Sequence, residues 1–152
     1  MKEIYAARII DISKAMARLK KVAEELGLPL GERKKTYNSR LAQELGKWAE
    51  TKGKGDEYHD AVFRAYFVDG KNIAKTDVLL ELVKAVVLSE NEAGEALAMR
   101  AFKEFVDSDW ALVDKMGVSS VPTFALDDQT LVGAQPYEVL EQFLRENGVE
   151  RT

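Results

Sequence analysis

The run Gly117-Val118-Ser119-Ser120-Val121-Pro122-Thr123-Phe124 gathers two hydroxyls and a proline at the head of an apolar segment, and the 152-residue chain contains no cysteine. Without sulfur there is no thiolate nucleophile, disulfide, thiolate-bound zinc or iron–sulfur cluster. Ser119 and Ser120 would need an adjacent base to act as nucleophiles, and the sequence shows none; their types suit a turn. His59 is the single histidine. It shares a helical face with Val62, Phe63 and Tyr66, and an isolated imidazole on such a face reads as a packing residue rather than a metal ligand or base. Asp127 and Asp128 could hold a divalent cation weakly, but acidic residues are also what hairpin tips commonly use. The reading therefore expects no catalytic residue, no metal and no cofactor.

The elements that must position these residues are mostly helical. Ile4, Tyr5, Ile9, Ile10 and Ile12 fit neither a period of 2 nor of 3.6, which leaves the conformation of residues 1–13 open. From Lys14, a stripe of Met16, Leu19, Ala23 and Leu26 predicts a helix capped by Ser13 and closed by Gly27. A second helix is expected from Asn38 through Leu41, Leu45 and Trp48 to the Gly53-Lys54-Gly55 break. A third is expected over 56–68, with His59, Val62, Phe63, Tyr66 and Phe67 on one face. That spacing assigns Trp48, Tyr58, Phe63, Tyr66 and Phe67 to a helical core or to the wall of a cleft, with Trp48, Phe63 and Phe67 placed in the core. A fourth helix starts at Thr76 or Asp77, and the capping box Ser89-Glu90-Asn91-Glu92 opens a fifth that continues towards Met116, with a possible interruption at Ser108-Asp109. After Gly117 the pattern changes to a hairpin, Thr123 to Leu126 and Leu131-Val132 around Asp127-Asp128-Gln129. A last helix with Pro136 at its first position follows and ends at Gly148.

Composition bounds the function. With 46% hydrophobic and 32% charged residues, the chain can build a real core. A net charge of −4 with dispersed Lys and Arg offers no basic face for nucleic acid. The one dense basic run, Gly31-Glu32-Arg33-Lys34-Lys35, reads as a solvated connector. No apolar stretch suits a membrane span, and Met1-Lys2-Glu3-Ile4-Tyr5 lacks the apolar region of a secretory signal, so a cytoplasmic location is expected.

Val121-Pro122-Thr123-Phe124 after a helix ending in Gly117-Val118, the segment Ala65-Tyr66-Phe67-Val68-Asp69-Gly70-Lys71-Asn72-Ile73, and Gly133-Ala134-Gln135-Pro136 before an amphipathic helix occur in that order. Together they resemble a DsbA-like thioredoxin domain. More narrowly, they resemble its FrnE-like branch, which is related to 2-hydroxychromene-2-carboxylate isomerases and kappa-class glutathione transferases. The resemblance runs from about Met16 to Phe143. It implies a mostly α, α+β architecture: a helical subdomain over 1–116 and a partial thioredoxin-like β-β-α unit over 117–152. It also implies a cis peptide before Pro122, and a substrate groove lined by Val121, Pro122 and Thr123 where an extended peptide or thiol substrate pairs with backbone.

Complete members of that family open with a strand, a turn carrying Cys-x-x-Cys or a nucleophilic serine, a helix and a second strand. The present sequence shows no counterpart to these. The expectation is a fragment or variant of a thiol–disulfide oxidoreductase that is itself catalytically silent. Two alternatives stand beside it: a non-catalytic helical module for self-association, and a relative of the glutathione-dependent isomerases. A homodimer is expected because a two-stranded hairpin leaves strand edges unpaired. Residues 4–12 offer one possible repair, as a replacement strand.

Overall fold

The computed structural model describes residues 2–32 and 35–149, with side chains placed from Lys14 onward. Arg33 and Lys34 of the basic run therefore lie outside the described residues. The element order is α1 (Lys2–Glu25), α2 (Arg40–Thr51), α3 (Gly55–Phe67), α4 (Thr76–Ala85), α5 (Glu90–Ala98), α6 (Lys103–Lys115), β1 (Thr123–Leu126), β2 (Gln129–Val132) and α7 (Tyr137–Glu146). The architecture is mostly helical with one two-stranded antiparallel sheet, as the sequence implied. The chain divides into two compact units, Met1–Val106 and Asp107–Thr152, so the division falls within α6, ahead of Gly117.

In the first unit, α2 to α5 surround a core of Leu45, Trp48, Tyr58, Leu79, Leu82, Val83 and Leu97. Small residues at Ala42, Ala49, Ala65 and Ala93 are buried among them, where short side chains let helix backbones approach closely. Leu45, Leu79 and Val83 are almost wholly inaccessible, and each such side chain contributes about 1.5–3 kcal/mol by leaving water. The capping box forms as expected: the Ser89 hydroxyl accepts from the Glu92 amide at 3.3 Å. At α2 the capping shifts by one residue. Ser39 is the N-cap, and the Asn38 side chain accepts from the Arg40 N–H at 2.8 Å.

Several expectations need correction. The backbone of residues 2–13 is helical and continuous with α1, so the segment open at the sequence level is not a replacement strand. On α3 the buried residues are Tyr58 and Ala65, while Phe63 is 60% exposed and Phe67 38%. The 3.6-residue repeat fits Tyr58, Ala61, Val62 and Ala65 equally well, and the neighbouring helices bury that face instead. His59 packs its ring against Gly46 of α2, as a helix-packing residue would, while staying about half exposed.

The long helix expected from Ser89 breaks at Met99–Phe102, not at Ser108-Asp109. Arg100 adopts a left-handed backbone, φ 51°, a conformation that costs a side-chain-bearing residue energy unless its surroundings hold it. They do so through Glu44, a buried carboxylate on α2 that accepts from Arg100 Nε at 2.7 Å, from Arg100 Nη2, and from Arg40 Nε at 2.7 Å. Arg40 Nη2 also donates to the Lys103 carbonyl at 2.9 Å, at the start of α6. The Arg100 hydrogen bonds hold the Glu44 carboxyl below the usual carboxylate range; burial opposes this, and Arg40 reinforces it.

In the second unit, β1 and β2 pair in the register Thr123↔Val132 to Leu126↔Gln129. The connection is Asp127-Asp128 alone, with Asp127 at φ 50°, a left-handed conformation that Asp tolerates better than most residues; β2 therefore begins at Gln129, inside the expected turn. Pro136 serves as the N-cap of α7, so the helix begins at Tyr137, one position later than expected. None of the described residues from Asp107 onward is buried.

Candidate functional site

The segment before β1 is built from a helix stop, a short loop and a strand start. Gly117, at φ 69°, ends α6: its N–H donates to the Asp114 carbonyl at 3.0 Å, and the Val118 N–H donates to Val113 at 3.2 Å. This closing pair satisfies carbonyls the last turn would leave open, and glycine allows the left-handed residue it requires. The chain then crosses Ser119 and Ser120 to a cis Val121–Pro122 peptide bond.

Beyond it, the Thr123 hydroxyl donates to the Ser120 carbonyl at 2.7 Å and the Pro122 carbonyl accepts from the Gly133 N–H at 2.8 Å. These two bonds fix the loop on both sides of the proline. Val121 itself is 89% exposed, and among the described residues its N–H and C=O make no hydrogen bond. Val121, Pro122 and Thr123 thus stand together at the head of β1, with Val121 exposed and a paired strand directly following.

On the other side of the hairpin, Gln135 Nε2 donates to the Val132 carbonyl at 2.7 Å, which ties the Gly133-Ala134-Gln135 turn down before α7 begins. Asp127 and Asp128 occupy the hairpin tip. No group of three or more His, Asp or Glu side chains is placed to hold a metal among the described residues. Ser119 and Ser120 are exposed, and among the described residues neither hydroxyl is hydrogen-bonded to a base.

Residues 6–145 match the DSBA-like thioredoxin domain family. The chain belongs to that family. A curated relative, the uncharacterized protein YwbO of Bacillus subtilis strain 168, is 31% identical over 105 residues, which is 67% of this chain and 52% of YwbO. Among solved structures, a probable DsbA oxidoreductase from Streptomyces coelicolor superposes with a TM-score of 0.79 at 28% identity, covering 91% of this chain and 61% of that one. A 2-hydroxychromene-2-carboxylate isomerase superposes with a TM-score of 0.77 at 20% identity, covering 90% and 67% respectively, and shares the fold. This DSBA-like chain spans about half the length of the curated relative it matches.

Sequence reasoning missed a second feature, in the helical unit. Phe63 and Phe67 stack with ring centres 5.9 Å apart, and Tyr66 meets Phe67 edge to face at 4.9 Å. The Phe63–Phe67 pair borders two cavities. One is an apolar cleft of about 480 Å³ against the second half of α1 and Leu28–Gly31. The other, of about 410 Å³, lies between the start of α2 and α3. The approach of Leu28–Gly31 to α3 requires glycine at 31. Its N–H donates to the Phe67 carbonyl at 2.9 Å, and a Cβ there would collide with the Val68 carbonyl oxygen. The available signal for the second cavity was Gly46, a glycine in the middle of α2 where alanine would favour the helix.

Proposed function

We propose that this chain is the substrate-holding part of a DsbA-type thiol–disulfide oxidoreductase. Val121, Pro122 and Thr123 present an extended backbone edge to a peptide or thiol substrate, and no sulfur chemistry is carried by the chain itself. The observation that carries the reading is the Val121 backbone: a donor and an acceptor, exposed and without internal partners, beside a paired strand. Such an edge takes an extended peptide as an added strand, its main-chain bonds giving affinity and its side chains specificity. The family match and the similarity to the probable DsbA oxidoreductase from Streptomyces coelicolor support this assignment. Thiol–disulfide exchange requires a thiolate, and the sequence supplies none, so the chain alone is silent in redox assays.

The test is an amide NMR titration with reduced glutathione, paired with insulin reduction by dithiothreitol. The reading expects saturable shifts at the Val121 and Thr123 amides and no turnover above the buffer blank. Turnover proportional to protein, or saturation elsewhere with the 121–123 amides unmoved, overturns it.

Self-association is the second reading, favoured by a separate observation. Trp110, Leu112, Phe124, Val132 and Tyr137 of the second unit are each at least 38% exposed, and the sheet has only two strands. Isolated two-stranded sheets with open edges are marginal in water, and exposed apolar surface favours burial against another chain. A homodimer follows from this reading. Light scattering would then report about twice the chain mass of 17.0 kDa, and a monomer at every concentration contradicts it.

A further inference from the structure

We infer that the cleft between the start of α2 and α3 is a binding site for a small planar phenol, an uncharged aromatic ring system bearing a hydroxyl. The inference is independent of the Val121 reading and concerns a different set of residues. At about 410 Å³ the cleft lies in the range of small-molecule sites, roughly 300–1,000 Å³. Its walls are the rings of Tyr37, Phe63, Tyr66 and Phe67, arranged for edge and face contacts: Tyr37 meets Tyr66 edge to face at 6.4 Å, and Phe63 stacks on Phe67. Phe63 stacks on Phe67 yet remains 60% exposed, and a flat aromatic guest would bury more of it.

Polar groups share the lining. Thr36, Ser39 and His59 all line the cleft. The Ser39 hydroxyl oxygen accepts from Gln43 Nε2 at 2.8 Å, which leaves its own O–H as a donor. The His59 ring lies over Gly46, where an added Cβ would stand 3.0 Å from Cε1 and 3.2 Å from Nε2. A glycine inside a helix costs about 1 kcal/mol relative to alanine, and here its missing side chain makes the space the imidazole occupies. Glu50 Oε1 lies 3.7 Å from His59 Nε2, outside the lining.

Charge selects the class of ligand. No described lining residue carries a fixed charge, and the nearby Glu50 carboxylate disfavours an anion at His59. A phenolic O–H can both donate to an imidazole nitrogen and accept from a hydroxyl, and its ring satisfies the aromatic walls.

The probe is 2-naphthol, titrated into the isotope-labelled full chain and followed by NMR, with naphthalene and 2-naphthalenesulfonate as comparators. Saturable binding is expected, with shifts centred on Tyr37, His59, Phe63 and Tyr66, and weaker binding of both comparators. Phe63→Ala should weaken binding roughly tenfold without loss of fold, since the ring is exposed. Gly46→Ala should weaken it several-fold while keeping or raising helix stability, because the added methyl pushes the imidazole toward the cleft. Four results overturn the inference: no saturable binding of 2-naphthol, equal binding of naphthalene, preference for the sulfonate, or shifts confined to the apolar cleft against α1. A Gly46→Ala chain that binds 2-naphthol like the parent also overturns it.

Discussion

The unit ending at Val106 and the unit from Asp107 onward use similar fractions of apolar residues to different ends. The first turns Leu45, Tyr58, Leu79 and Val83 inward until almost nothing of them meets water, and adds a buried, charge-paired Glu44. The second leaves Trp110, Leu112, Phe124 and Tyr137 accessible and buries none of its described residues. Amphipathic patterning alone does not distinguish these cases, because α7 is as sharply two-faced as α2. What separates them is the number of helices available to cover a face. The helices α2 to α5 cover one another, whereas a two-stranded sheet and one following helix leave apolar surface over. The Val121–Thr123 segment belongs to the unit with less internal cover.

The largest test of this comparison is a pair of truncations. Leu79→Ala in the first unit should lower unfolding free energy by about 3 kcal/mol, whereas Phe124→Ala in the second should cost about 1 kcal/mol or less, both read from denaturant midpoints. Equal losses would erase the distinction.

Next in size is Glu44. Replacing it by Gln removes the charge that Arg40 and Arg100 share, with an expected loss of about 2 kcal/mol at neutral pH. Its folded pKa is depressed, so its contribution is fully present above the unfolded carboxylate value of about 4.3 and is lost as pH falls through the lower folded value. The parent chain should therefore lose more stability than Glu44→Gln on acidification below about pH 4. Parallel pH profiles would show that Glu44 is not coupled to folding.

Tyr58 sharpens the account in the opposite direction. Its ring is fully buried, its hydroxyl has no hydrogen-bond partner among the described residues, and burial pushes the phenol pKa upward. Tyr58→Phe removes an unsatisfied polar group while keeping the ring, so it should stabilise the chain by about 1 kcal/mol, read as a raised midpoint. A destabilised variant would reveal a partner for that hydroxyl. The smallest effect belongs to Phe63→Ala, expected to change stability by less than about 1 kcal/mol because the ring is largely exposed.

Much of this was legible in the sequence where a local signal is sufficient. Ser89 and Glu92 mark a helix start, Gly117 a helix stop, and paired acidic residues a hairpin tip, because each acts on backbone groups within a few positions. The Val121-Pro122-Thr123 segment stood out only through the family resemblance, and the structure has the three at the head of β1 after a cis peptide bond. Features set by partners distant in sequence were not legible. The break at Arg100 depends on Glu44, on another helix, and no local pattern announces it. The buried face of α3 was misassigned because two sets of apolar residues fit one helical repeat, and neighbouring helices decide between them. The aromatic cleft was undecided for the same reason: rings on one helical face suit either a core or a cleft wall, and the structure makes Phe63, Tyr66 and Phe67 walls.

Hydrogen exchange of the full chain, with and without a saturating extended peptide bearing a cysteine, tests the central claim most directly. The account predicts near-global protection for the α2, α4 and α5 core amides in both states, and fast exchange over residues 121–132 that slows when the peptide binds. Protection of residues 121–132 equal to that of the helical core in the free chain, or no response to the peptide, would contradict it.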